Sequence, residues 1–208
     1  MFDFLKQLTD PESIIKYGGL ALLLFVIFAE TGLFVGFFLP GDNLIFIAGL
    51  LSATKPDLMN VSFPLLLILM MVAAIIGNVF GYWFGRKAGE KLYSRKDSFF
   101  FRKSHIETTK AYYEKHGGKT LILGRFIPII RTFAPILAGV IKIEFKKFML
   151  YNVIGAVAWI GGIGSIAFYL GKQFPQVENY LGYIFVGLII VTAIPVLTTY
   201  LKSRKRSA

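Results

Sequence analysis

The chain has 208 residues, a formal net charge of +11, 55% hydrophobic residues and no cysteine. That apolar content exceeds what a soluble domain of this length needs, and charged residues at only 17% with aromatics at 16% exclude intrinsic disorder. The missing thiols exclude disulfide scaffolds, Fe–S clusters, thiolate zinc sites and cysteine nucleophiles, which leaves an all-α polytopic membrane protein.

The first membrane segment, 14–52, is apolar but holds Glu30 and Asp42, with a Pro40-Gly41 break between them. The preceding residues mix charges (Asp3, Lys6, Asp10, Glu12) and do not read as a cleaved signal peptide. The segment is either a full span from the cytoplasm followed by a re-entrant hairpin, or one long hairpin with an external N-terminus. The flanking charges hardly separate the two, the first is taken as the expectation, and the side of the N-terminus stays open.

Next comes an uncharged run of 28 residues, Leu58 to Gly85. It exceeds the ~20 residues that cross ~30 Å of hydrocarbon, so 61–85 is predicted to be a transmembrane helix. Its stripe Ala73, Gly77, Gly81, Gly85 predicts close helix packing. Between Arg86 and Lys119 lie ten Lys/Arg against four Asp/Glu, so 86–119 is expected to be a cytoplasmic basic loop. Within it, Ser104-His105-Ile106-Glu107 fits a capping box and Gly117-Gly118 a helix stop. Phe99, Phe100, Phe101, Tyr112 and Tyr113 either anchor that loop at the membrane surface or decorate a solvated linker helix.

Residues 120–141 are apolar yet contain Arg125, Arg131, Pro128 and Pro135. A charge at a helix centre costs roughly 2.5–3.5 kcal/mol on insertion scales, and proline breaks the helical ladder. Irregular backbone at membrane depth survives only inside protein or against a wet cavity, so a second re-entrant hairpin is expected. Lys142, Lys146 and Lys147 then precede a span over 148–170, and a further span over 179–201 ends in Lys202, Arg204, Lys205 and Arg206. The positive-inside rule places 142–147 and the C-terminus in the cytoplasm.

Hairpin plus helix therefore occurs twice in opposite orientation, with one extra C-terminal helix. This is the inverted-repeat logic of secondary transporters, whose site lies at the midplane where broken segments meet. The basic excess is a topology signal with contact to membrane lipids, not a nucleic-acid footprint, because no recognition motif accompanies it. His105 and His116 lack metal-like spacing, and with no histidine in the membrane segments a His-based lipid phosphatase is disfavoured. No Gly-rich nucleotide loop is present, and no metal or cofactor is expected.

At several of these stretches the sequence resembles the DedA family, also called the SNARE-associated or VTT domain. They are Glu30-Thr31-Gly32 with Leu39-Pro40-Gly41-Asp42, Gly77-Asn78 through Gly85-Arg86, and Tyr113 to Gly117. The core Arg125-Phe126-Ile127-Pro128-Ile129-Ile130-Arg131-Thr132-Phe133-Ala134-Pro135, then Ala138-Gly139 and Asn152 to Trp159, completes the pattern. Asp42 stands where many members carry glutamate, which keeps the carboxylate. The resemblance implies an inner-membrane protein of envelope homeostasis, not an enzyme, that moves lipid phosphates. Undecaprenyl phosphate is the leading substrate it implies, with the proton motive force as drive. A phospholipid scramblase or a proton-coupled ion antiporter is the alternative, and a homo-oligomer is left open.

The charged quartet carries the chemistry. Arg125 and Arg131 can converge from two limbs of a hairpin and grip a phosphate through paired N–H groups, or they can neutralise Glu30 and Asp42. The two carboxylates can carry protons, or they can serve only as counter-charges. Pro40, Gly41, Pro128, Pro135 and Gly139 are expected to shape the hairpins.

Overall fold

The computed structural model describes residues 11–33, 41–58, 60–94 and 128–180, together with Tyr183 and Gly187. Among these residues every regular element is helical. We number the helices α1 (Pro11–Gly32), α2 (Gly41–Thr54), α3 (Phe63–Ser94), α4 (Pro128–Val140), α5 (Phe145–Ala156) and α6 (Gly162–Gln173). A π-helical turn, Val157–Gly161, joins α5 to α6, and short 3-10 turns follow α2 and α6.

Two stretches have membrane-crossing length and composition: Phe63–Gly89 within α3, and Phe145–Gln173 from α5 through α6. At 1.5 Å per residue, their 27 and 29 residues reach about 40 Å, more than a bilayer core. Pro64 sits in the first turn of α3, where its missing N–H costs nothing, and the Ser62 carbonyl takes the first helical bond from Leu66 N–H. The helix continues to Ser94, past the boundary at 85 that charge alone suggested. Hydropathy marks where the apolar medium ends, whereas Arg86, Lys87 and Ala88 are good helix formers and carry the ladder onward.

Both long stretches are apolar on sides that no described residue covers. Leu65, Ile68, Val72, Ile76, Phe80 and Phe84 form an exposed row along α3 at helical spacing. Leu150, Val153, Ile154, Val157 and Ile166 do the same across α5 and α6. Such rows are what lipid-facing surface requires.

The expectation of a full span inside 14–52 meets a broken helix. Gly19 interrupts α1 with φ 57° and ψ −159°, a conformation closed to side-chain-bearing residues. The apolar pieces that remain, Gly19–Gly32 and Gly41–Thr54, have 14 residues each, about 21 Å of helix. Gly41 opens α2, and Pro40 lies outside the described residues. Also outside them are Arg125, the basic loop beyond Ser94 with its capping box, and nearly all of the span expected over 179–201.

The chain divides into two compact units. The first comprises Met1–Leu23, Pro40–Leu66 and Ile163–Ala208. Its core is α2, buried from Gly41 to Ser52 except at Asp42 and Phe46. Glycines let α2 and α6 approach: a Cβ on Gly49 would stand 2.6 Å from the Gly164 carbonyl oxygen, and one on Gly171 2.9 Å from that of Leu50. Phe63 and Phe168 stack there with ring centroids 4.0 Å apart.

The second unit, Leu24–Leu39 and Leu67–Gly162, is built around the glycine stripe of α3. Gly77 receives α1 at Phe28, Thr31 and Gly32. Gly85 receives the Ile136 backbone of α4, and Gly89 that of Val140. Gly85 and Gly89 meet Ile136 and Val140 in the same order, so the two helices run parallel there. Gly139 answers from α4, lying against the Tyr82 carbonyl and the Arg86 N–H. It was expected to shape a hairpin; here it lets two helices touch. Pro135 likewise lies inside α4 and not at a turn, while Pro128 opens the helix, where proline fits.

A Cβ at Gly85 or Gly139 would collide with backbone that cannot turn aside, so overpacking costs of about 1–3 kcal/mol or more apply. Gly85→Ala and Gly139→Ala should each lower the apparent Tm of detergent-purified protein. Gly187→Ala, with open space around its Cβ, should leave it unchanged.

Candidate functional site

The second unit buries Glu30, Thr31, Asn78, Arg131, Thr132 and Asn152, an unusual polar load for a segment flanked by lipid-facing rows. Each polar group there must find a partner, because water is scarce and desolvation is costly.

Arg131 is 5% exposed and donates through Nη2 to Glu30 Oε1, a buried ion pair between the last turn of α1 and the first turns of α4. The partners lie 101 residues apart in the chain. Trp159 offers its ring to the same guanidinium, whose central carbon is 6.0 Å from the ring centroid, within cation–π range. Trp159 belongs to the π turn Val157–Gly161. Such a turn adds a residue to one helical winding, and turns of this kind occur often at functional sites.

In the same unit, Asn78 Nδ2 donates to Asn152 Oδ1 at 2.8 Å, tying α3 to α5. Asn152 Nδ2 in turn donates to the Ile75 carbonyl at 3.2 Å. The Thr31 hydroxyl donates back to the Ile27 carbonyl at 2.8 Å.

At the C-terminal end of α4 the chain turns sharply. Ile143 N–H bonds to the Ala138 carbonyl and Lys142 N–H to that of Gly139, both at 3.0 Å, with Lys142 at φ 56°. This is the Schellman closure, with lysine where glycine is usual. Tyr82 holds the turn, donating its hydroxyl to the Ile143 carbonyl at 2.5 Å, and Arg86 Nη1 donates to that hydroxyl at 3.1 Å. Tyr82 also stacks on Phe148 at 4.6 Å inside a cluster with Ala138 and Ile143. Tyr82 is buried, Trp83 is half exposed beneath the Arg86 guanidinium, and the Trp159 ring faces Arg131.

Of the charged quartet, then, Glu30 and Arg131 meet. Asp42 belongs to the other unit, in the first turn of α2, where a helix N-terminus favours negative charge. Among the described residues no group of His, Cys, Asp and Glu could hold a metal ion.

Residues 39–166 match the VTT domain family. Over 199 residues, 95% of this chain and 90% of the relative, the sequence is 41% identical to Protein DedA of Escherichia coli strain K12. The chain belongs to the DedA family of membrane proteins. It is also 31% identical to Inner membrane protein YqjA of the same organism, over 80% of this chain and 73% of the relative. With Undecaprenyl phosphate transporter A of Bacillus subtilis it shares 28% identity over 66% of this chain and 70% of that protein. No solved structure matches. The buried pair of this DedA-family chain draws on two stretches that suggested the family, Glu30-Thr31-Gly32 and the arginine–proline core. Asn78, Asn152 and Trp159 lie in two further stretches of the resemblance, Gly77 to Arg86 and Asn152 to Trp159, but their spacing carried no sign of a role.

Proposed function

We propose that this chain transports a lipid phosphate across the membrane, with undecaprenyl phosphate as the substrate and the proton gradient as the drive. The observation that carries this reading is the buried Glu30–Arg131 pair with Trp159 over the guanidinium. A guanidinium held in a water-poor interior exchanges a carboxylate for a phosphate at little cost, because both fit its fork. Protonation of Glu30 weakens its hold, and Arg131 then takes the phosphate. Deprotonation restores the pair and expels the substrate. Arg125 is assigned a second grip on the phosphate and Asp42 a second proton. The Bacillus subtilis relative, named as a transporter of undecaprenyl phosphate, supports the substrate.

In this reading 14–52 and 120–141 hold re-entrant hairpins, shaped at Pro40-Gly41 and at Pro128, where α4 opens. They belong to an inverted repeat in the inner membrane, with the C-terminus in the cytoplasm. The two 14-residue apolar helices, each too short to span, support the first hairpin.

The test is flux of labelled undecaprenyl phosphate in proteoliposomes, with and without a pH gradient. Wild-type flux should rise with the gradient. Glu30→Gln should lose that response, and Arg131→Lys should carry about tenfold less, because lysine lacks the planar fork. Gradient-independent movement of phosphatidylglycerol would instead mark a scramblase, and proton flux tied to a monovalent cation without lipid flux would mark an antiporter.

A further inference from the structure

Threonine in an apolar helix has a standard solution for its hydroxyl: it donates to the carbonyl four residues back. Two described threonines of this chain do so, Thr31 to Ile27 at 2.8 Å and Thr54 to Leu50 at 3.3 Å. Thr132 is 1% exposed, and its hydroxyl makes no hydrogen bond among the described residues, although the Pro128 carbonyl stands four residues back in the same helix. A buried hydroxyl without a partner is costly, and it is retained where something else supplies the partner.

Its position narrows what that is. Thr132 follows Arg131 directly and lies one turn before Ile136 on the side of α4 that packs on the glycine stripe. Gly81 of α3 is met by Pro135 and Ile136 of α4 and by Gly32 of α1, and Thr132 is buried beside Arg131 one turn nearer the start of α4. It therefore sits in the buried polar region that holds the ion pair. An arginine arm reaches several ångströms, so an anion taken by Arg131 comes within range of the neighbouring hydroxyl.

We propose that Thr132 is a substrate-positioning residue, whose hydroxyl donates to an oxygen of the phosphate group that Arg131 takes when it leaves Glu30. The inference rests on the lipid-phosphate reading and deepens it. Arginine supplies charge and a fork, and the hydroxyl adds a third, fixed direction that suits a tetrahedral phosphate better than a flat carboxylate.

The test compares wild type, Thr132→Val and Thr132→Ser in detergent, measuring ligand affinity and the Tm of ligand-free protein. The probes are inorganic phosphate, farnesyl monophosphate and short-chain phosphatidylglycerol, which separate free phosphate, lipid monoester and lipid diester. Valine keeps the shape and removes the hydroxyl. It should weaken farnesyl monophosphate binding about tenfold, as loss of a hydrogen bond to a charged group does, and raise the ligand-free Tm by about 2–4 °C. Serine should restore most of the affinity. Unchanged affinity in Thr132→Val would overturn the assignment while leaving the lipid-phosphate reading standing. A lowered ligand-free Tm with unchanged affinity would also overturn it, and would assign the hydroxyl to a buried water. If wild type binds none of the three probes, the lipid-phosphate reading fails and this one with it.

Discussion

Arg131→Ala should nearly vanish from the membrane fraction, while a double variant that removes both charges, Arg131→Met with Glu30→Leu, should accumulate normally and still fail to transport. Removing one member of a buried pair leaves an uncompensated charge and costs about 3–5 kcal/mol. Against a typical total stability of about 5–15 kcal/mol, that loss is large enough to hand much of the protein to proteolysis. Replacing both members by apolar groups of similar volume is often neutral or stabilising, by about 1–4 kcal/mol, because two desolvation penalties disappear together. The contrast separates stability from function. Membrane abundance reads the first, and lipid-phosphate flux reads the second. A double variant that transports like wild type would reduce the pair to a structural tie. Normal abundance of Arg131→Ala would mean that the carboxylate is compensated from elsewhere.

The second large effect is all-or-none. The chain has no cysteine, so single cysteines report topology without a prepared background. On the proposed inverted repeat, Ser94→Cys, Lys119→Cys and Lys142→Cys should all resist an impermeant thiol reagent added to intact cells. Gln173→Cys, at the far end of the apolar stretch that begins at Phe145, should react fully. Lys119 and Lys142 flank the second hairpin, so their agreement tests whether 120–141 dips and returns. Opposite labelling of those two positions would make the segment a span and remove the inverted repeat.

The membrane class, the two long helices and the packing role of the α3 glycines were legible in the amino-acid sequence alone. Each of these is a local property: an uncharged run longer than a bilayer is thick, or small residues repeating every fourth position on one face. The sequence also showed that Glu30 and Arg131 needed compensation, since an isolated charge in an apolar interior is too costly to leave alone. It did not determine the partner. Either arginine could have answered either carboxylate, and only the packing of α1 and α4 against α3 joined Glu30 to Arg131 across 101 residues. The roles of Gly139 and Pro135 changed for the same reason: a glycine reads alike whether it bends a chain or admits a neighbouring helix, and the contact with Tyr82 and Arg86 decides which. Trp159 over the guanidinium depends on a π turn that no propensity scale marks. Thr132 is the sharpest case. Its residue type predicts a hydroxyl bonded back to its own helix, and only the three-dimensional arrangement reveals one that is buried and unanswered, because hydrogen-bond satisfaction is settled among atoms in space and not among neighbours in sequence.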